Sequence, residues 1–250
     1  MSRRVFGALI LLAIFSLLIY TVLKNPAVQA SPQELTVTTK TRGQEELKAT
    51  IVDGQLKISL KNNHTETITA FVIGFGDTTV KEDFAYAEAR FGIEPGATFE
   101  KSYPSSGSSG GAEPPTLYLL AVLLKDGTND GPPNVVQQIS DERLGEKIQI
   151  YRTLKILEKD GPSHKDIKSL KADITAALDA GEDEARIIGK ELRPTSRLDE
   201  SLSENVKKGL HWGREKMLRR LQTLEQIPTE RQEQGLSELK DRSHTLFAKL

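Results

Sequence analysis

The 250-residue chain contains no cysteine, which excludes disulfide frameworks, zinc-thiolate sites, thiol catalysis and a lipid-modified cysteine anchor. Histidine is nearly absent too. His64, His164, His211 and His244 lie far apart with no i,i+4 partner, so a His-rich metal site is not expected and each ring is expected at the surface. A basic surplus is also missing, since the formal charge is −1. Without Arg3, Arg4 and Lys24 of the first thirty residues, 31 basic residues face 35 acidic ones, a net of −4. A nucleic-acid binder held by bulk charge needs the opposite balance to displace counterions. No phosphate-cradling glycine loop and no repeat of fixed period stand out. Neither composition nor motif suggests a cofactor, and no motif names a reaction.

One long apolar run is present. Met1-Ser2-Arg3-Arg4 is a short basic start, and Val5 to Leu23 is a nineteen-residue stretch without charge. Lys24-Asn25-Pro26-Ala27-Val28-Gln29-Ala30 follows, with Val28 and Ala30 at the −3 and −1 positions of a cut between Ala30 and Ser31. This is the three-part pattern of a secretory signal. Nineteen helical residues would span about 28 Å, close to the hydrocarbon thickness, so an uncleaved membrane anchor is the rival reading. Its basic end would lie in the cytoplasm. Both readings deliver residues 31–250 to the outer side of a cytoplasmic membrane, in the periplasm or anchored there.

Composition then divides the chain near residue 130. Residues 31–130 carry eight aromatics and a net charge of −5, whereas residues 131–250 carry three aromatics and a net of +1. Aromatic and β-branched runs broken by turns favour strands, and interspersed charge with Leu and Ala favours helices. The expected fold is α+β: an antiparallel β-sandwich of immunoglobulin-like type over 31–130, then a helical region over 131–250.

Strands are expected at 35–41, 47–52, 56–61, 67–75, 98–103 and 116–125. Asp53-Gly54 between the second and third is a strong hairpin signal. The last strand alternates Leu117, Leu119, Ala121 and Leu123 against Tyr118, Leu120, Val122 and Leu124, so both faces are apolar. Its outer face needs a cover, and the helix that follows is the nearest candidate. Helices are expected at 134–159, at 167–178 with the stripe Ile167, Leu170, Ile174 and Leu178, at 183–192, at 196–227, and from Pro228-Thr229 to Leu250. The apolar spacing in 196–227 is not a sustained heptad, which favours a bundle over a coiled coil.

Few residues point to chemistry. Gly107-Ser108-Ser109-Gly110-Gly111 spells G-x-S-x-G, but Pro114-Pro115 follows, and a nucleophile elbow needs a helix there. A flexible loop is expected. Asp126-Gly127-Thr128-Asn129-Asp130-Gly131 resembles the start of a calcium loop, with Asp126 and Asp130 as ligands, yet Gln137 stands where the bidentate Glu belongs. A polar turn explains the same residues. Asn63-His64-Thr65 is a glycosylation sequon, but a plain turn is the favoured reading. Placing 207–220 on a helix groups Val206, Leu210, Met217, Leu221 and Leu224 within roughly 60°. Trp212 falls on another face among Lys208, Lys216 and Arg219, where it would meet either a partner or a neighbouring element.

Leu60-Lys61-Asn62-Asn63, Ile68-Thr69-Ala70-Phe71 and Gly92-Ile93-Glu94-Pro95-Gly96 resemble uncharacterised exported bacterial proteins with an immunoglobulin-like sandwich. The resemblance covers about residues 50–160 and implies a location and an architecture, without chemistry. The expected function is a non-catalytic envelope protein whose sandwich is an interaction module for an envelope protein or glycan. The alternatives are a hydrolase of envelope glycan or peptide whose carboxylates converge only in the fold, and a membrane-anchored sensor or assembly subunit.

Overall fold

The computed structural model describes residues 33–41, 43, 45–76, 78–86, 92–104, 116–160, 167–194 and 201–250. The signal or anchor segment, the Ala30/Ser31 junction and the G-x-S-x-G run lie outside them. Among the described residues no helix is long and apolar enough to cross a membrane. The chain is α+β: strands run to Asp130 and helices begin at Pro133.

Two sheets face one another. The first has the order β1 (Gln33–Glu34), β3 (Glu45–Val52), β4 (Gln55–Asn62), β7 (Thr98–Pro104). The second has the order β2 (Thr36–Thr39), β8 (Thr116–Leu124), β5 (Ile68–Phe75), β6 (Thr78–Asp83), with β9 (Asn129–Asp130) also paired to β8. At the β3–β4 turn Asp53 and Gly54 both have positive φ (51° and 70°), as the hairpin signal requires. Inward residues of both sheets interleave, and Phe71, Phe84 and Phe99 meet with ring centroids 5.2 to 6.0 Å apart.

Three expectations are corrected here. The strand expected at 35–41 covers only Thr36–Thr39, and a separate short strand, β1, precedes it: Leu35 is buried between them, β1 joins one sheet and β2 the other. The sheets are not wholly antiparallel, because β2 pairs with β8 in parallel. In β8 the alternation slips. Ile73 opposes Leu119 but Val72 opposes Ala121, so Leu120 is an extra, bulged residue. Beyond the bulge the core face carries Val122 and Leu124, while Leu120 and Leu123 face outward. A bulge reverses phase because side chains alternate with period two. Strand β6, rich in Thr and charge, carried no apolar alternation to announce it.

The helices are α1 (Pro133–Asp160), α2 (Ile167–Leu178), α3 (Glu182–Leu192), α4 (Glu204–Gln226) and α5 (Thr229–Lys249). Ser203 caps α4 by accepting a hydrogen bond from the Val206 amide. The stripe Ile167, Leu170, Ile174 and Leu178 is buried against Leu154, Leu157, Met217 and Leu221. Helix α1 is the hub, packing on the other four helices and on β8. Its Ile139 and Val135 cover Ala70, Val72, Leu120 and Leu123, the outward face of the second sheet. That cover explains why β8 is apolar on both sides.

Candidate functional site

Over its middle turns α1 is enclosed by its neighbours and leaves little solvent face for its polar residues. Helix α1 therefore buries Asp141, Glu142, Arg143, Glu146, Gln149, Arg152 and Thr153. Buried charge is stable only when paired and hydrogen-bonded. Here β6 and α4 supply most of the partners, and Glu184 of α3 and its C-cap Arg193 supply those of Arg152 and Asp141.

The Glu142 side chain is 1 % exposed and is clasped by two ammonium groups, Lys81 from β6 and Lys208 from α4, the latter at 2.8 Å. Burial pushes its carboxyl up, but hydrogen bonds from Lys208 and Lys81 outweigh this and hold it below the ordinary value. One turn on, Lys216 Nζ lies 2.8 Å from Glu146. Trp212 is half-buried, with Lys81 Nζ 5.1 Å and Lys208 Nζ 4.7 Å from its ring centroid. Arg143 donates to both Asp83 oxygens, at 2.8 and 3.0 Å, and to the Thr69 carbonyl at 3.1 Å. Asp141 accepts from Gln137, Arg193 and Ser203. The array forms a charged seam tying β5 and β6 of the sandwich to α1 and α4.

Glycines set the spacing of the seam. A Cβ at Gly145 would overlap the Val206 carbonyl oxygen, and one at Gly209 would overlap that of Glu142. Gly213 likewise faces Glu146 and Gln149. Contacts advance in the same direction along both helices, so α1 and α4 run parallel, with α2 and α3 in the connection between them. This backbone approach lets Gln149 donate from α1 to the Leu210 carbonyl of α4, at 3.2 Å.

The first sheet is different on its outer side. Lys48, Thr50, Lys57, Ser59, Glu100 and Ser102 line a shallow groove of about 570 Å³ there. At the sandwich end, His64 is buried, contrary to the surface expectation: its Nε2 lies 2.5 Å from Glu45 Oε1, while Thr41 donates to Glu45 Oε2. Asn62 donates to the Glu66 and Ile93 carbonyls and accepts from the His64 amide, which stiffens the same turn.

Asp126 accepts from the Thr128 amide and hydroxyl, which hold its carboxyl below the ordinary value. Asp130 sits in β9, opposite Val122. Among the described residues no three His, Asp or Glu side chains gather as a metal site. The segment is a hairpin turn. Trp212, Lys208 and Lys216 are brought together in the seam, but Arg219 is exposed and pairs with Glu215 on its own helix. Glu142, Glu146, Arg143, Lys81 and Asp83 escaped the sequence reading. Their signal was complementary spacing: Glu142 and Glu146 at i,i+4 on α1, against Lys208, Trp212 and Lys216 at i,i+4,i+8 on α4. Comparison with protein-family models, curated proteins and solved structures finds no match to this chain.

Proposed function

We propose that this is a non-catalytic exported envelope protein, in which an immunoglobulin-like sandwich presents an interaction face and the helices hold it rigidly. The observation that carries the reading is the contrast between the two sheet faces: one sealed by α1, the other an open polar groove around Lys57 and Ser59. The immunoglobulin-like assignment draws support from strand order, with β4 beside β7 in one sheet and β5 beside β8 in the other, as in Greek-key sandwiches. Buried carboxylates Asp83, Asp141, Glu142 and Glu146 each face a cation, which suits a scaffold better than proton transfer. Residues 1–30 serve as a cleaved signal or as an anchor through residues 5–23, placing the rest in the periplasm or on the outer side of the cytoplasmic membrane.

The test is co-sedimentation of the full chain with isolated envelope glycan and with envelope membranes, comparing wild type with the double variant Lys57→Glu, Ser102→Trp. Sedimentation of wild type, weakened about tenfold in the variant, is expected for a docking face that loses one charged contact and gains bulk. Equal sedimentation of both proteins would overturn the assignment of the face, and release of soluble glycan fragments would favour the hydrolase.

A further inference from the structure

Four charged side chains border the open groove on the first sheet: Lys48, Lys57, Glu100 and Lys101. Two of them are engaged elsewhere. Lys48 lies 2.8 Å from Glu46 on its own strand, and Lys101 lies 2.6 Å from Glu82 of β6. Among the described residues neither Lys57 nor Glu100 has an ion-pair or hydrogen-bond partner for its side chain. Lys57 stands opposite Ser102, and Ser59 stands opposite Glu100. The two free charges are therefore diagonal neighbours across β4 and β7, about 7–8 Å apart, with a serine at each of the other two corners. Thr50 of β3 adds a hydroxyl on the other side of Lys57.

The same face carries no large apolar side chain. Tyr118 of β8 and Ile187 of α3 are the exposed large apolar residues among those described, and neither belongs to the first sheet. A neutral sugar ring finds no aromatic surface to cover here, and an apolar anchor finds no pocket. What the groove offers a partner is one positive group, one negative group and the hydroxyls around them. A ligand that complements it carries both charges.

Resting on the reading of this face as the interaction face, we propose that its ligand is a short zwitterionic peptide. The peptide carboxylate meets Lys57, and its free amine meets Glu100. An extended chain advances about 3.4 Å per residue, so an amine and a carboxylate roughly two to three residues apart span the diagonal. Contacts between exposed charges are weak, so a single peptide binds in the millimolar range. A polymer that carries many such peptides is held more tightly through avidity.

Chemical-shift titration of the full chain at neutral pH, followed at the Ser59 and Ser102 amides, provides the test. The probes are triglycine, its N-acetylated form, its C-terminal amide and the neutral sugar triacetylchitotriose. Saturable shifts with triglycine are expected, weakened about fivefold or more when either the amine or the carboxylate is blocked. Glu100→Gln should bind triglycine and its acetylated form alike, and Lys57→Gln should bind triglycine and its amide alike, as a pairwise coupling requires. Both substitutions lie on an exposed sheet face and leave the cores untouched. Absence of saturable shifts, equal binding of all three peptides by wild type, or tighter binding of triacetylchitotriose would overturn the ligand class. If co-sedimentation with the envelope still weakens in the Lys57→Glu, Ser102→Trp variant in that event, the face stands and its ligand is of another class. If it does not weaken, the face falls as well.

Discussion

The sandwich and the helical region handle polarity in opposite ways. Between its sheets the sandwich packs Phe71, Phe84, Phe99, Leu60 and Ile73, and it leaves charge on its outer surfaces, apart from the Glu45–His64 pair at one end. The helical region has apolar clusters too, around Leu170, Ile174 and Leu221 and around Ile148 and Val206, but its hub helix also carries a row of buried ions. A two-sheet stack has an inside and an outside, so period-two alternation suffices to sort its residues. A hub helix touching five neighbours has little outside over its middle turns, and ions there persist through partners on β6 and α4 and on α3 with its C-cap Arg193. Apolar packing tolerates many shapes, whereas an ion network tolerates few arrangements. On this view the seam fixes how the helices sit on the sandwich more than it adds net stability.

The sharpest way to break this comparison is Gly209→Val. The new side chain collides with the Glu142 backbone rather than with a flexible side-chain end, so α1 and α4 must separate and the seam ions must part. A loss of about 3 kcal/mol or more is expected in urea unfolding, beyond ordinary overpacking. A near-neutral result would mean that the close approach of the helices does not hold the seam.

Next in size is Phe71→Ala, which empties the centre of the sandwich and should cost about 3–5 kcal/mol less whatever the site recovers by collapse. Trp212 is the sole tryptophan and sits across the seam from Lys81, so its emission reports on the helical side. If the seam couples the regions, the Trp212 transition shifts to lower urea along with the far-UV signal. A Trp212 midpoint that stays in place while the sandwich melts early would show the regions to be independent.

The smallest effect expected is from Glu142→Gln, which keeps the shape and removes the charge that two lysines share. Lys208 is partly exposed and can rehydrate, so a loss of about 1–2 kcal/mol at neutral pH is expected. Because the folded carboxyl lies below the ordinary glutamate value, its contribution is full above that ordinary value and fades as pH falls through the lower folded one. Wild type should therefore lose stability on acidification more steeply than the variant. Parallel acid profiles would remove Glu142 from the linkage.

Much of the fold could be read from local chemistry. Asp53-Gly54 announced its hairpin, Pro228-Thr229 its helix start, and Ile167 to Leu178 its buried stripe, because turns, caps and amphipathic stripes depend on neighbours in the chain. The doubly apolar β8 even announced that α1 would cover it. The site was far less legible. Trp212, Lys208 and Lys216 stood out as a cationic face, but the carboxylates that meet two of these cations lie some seventy positions upstream, and nothing in α1 marks Glu142 as buried. The bulge at Leu120, the division at Leu35 and the Glu45–His64 pair were hidden for a related reason, since register and burial come from partners distant in sequence.

What the amino-acid sequence determined alone was therefore the division into strands and helices, most turns, and the absence of any crosslink, so that packing and ion pairing hold the described regions together. Tertiary structure decided which charges are buried and which sheet face stays open. Local preferences are written in adjacent residues. Desolvation and pairing depend on which distant segments meet, and here three glycines on two parallel helices decide how closely two of those segments can approach.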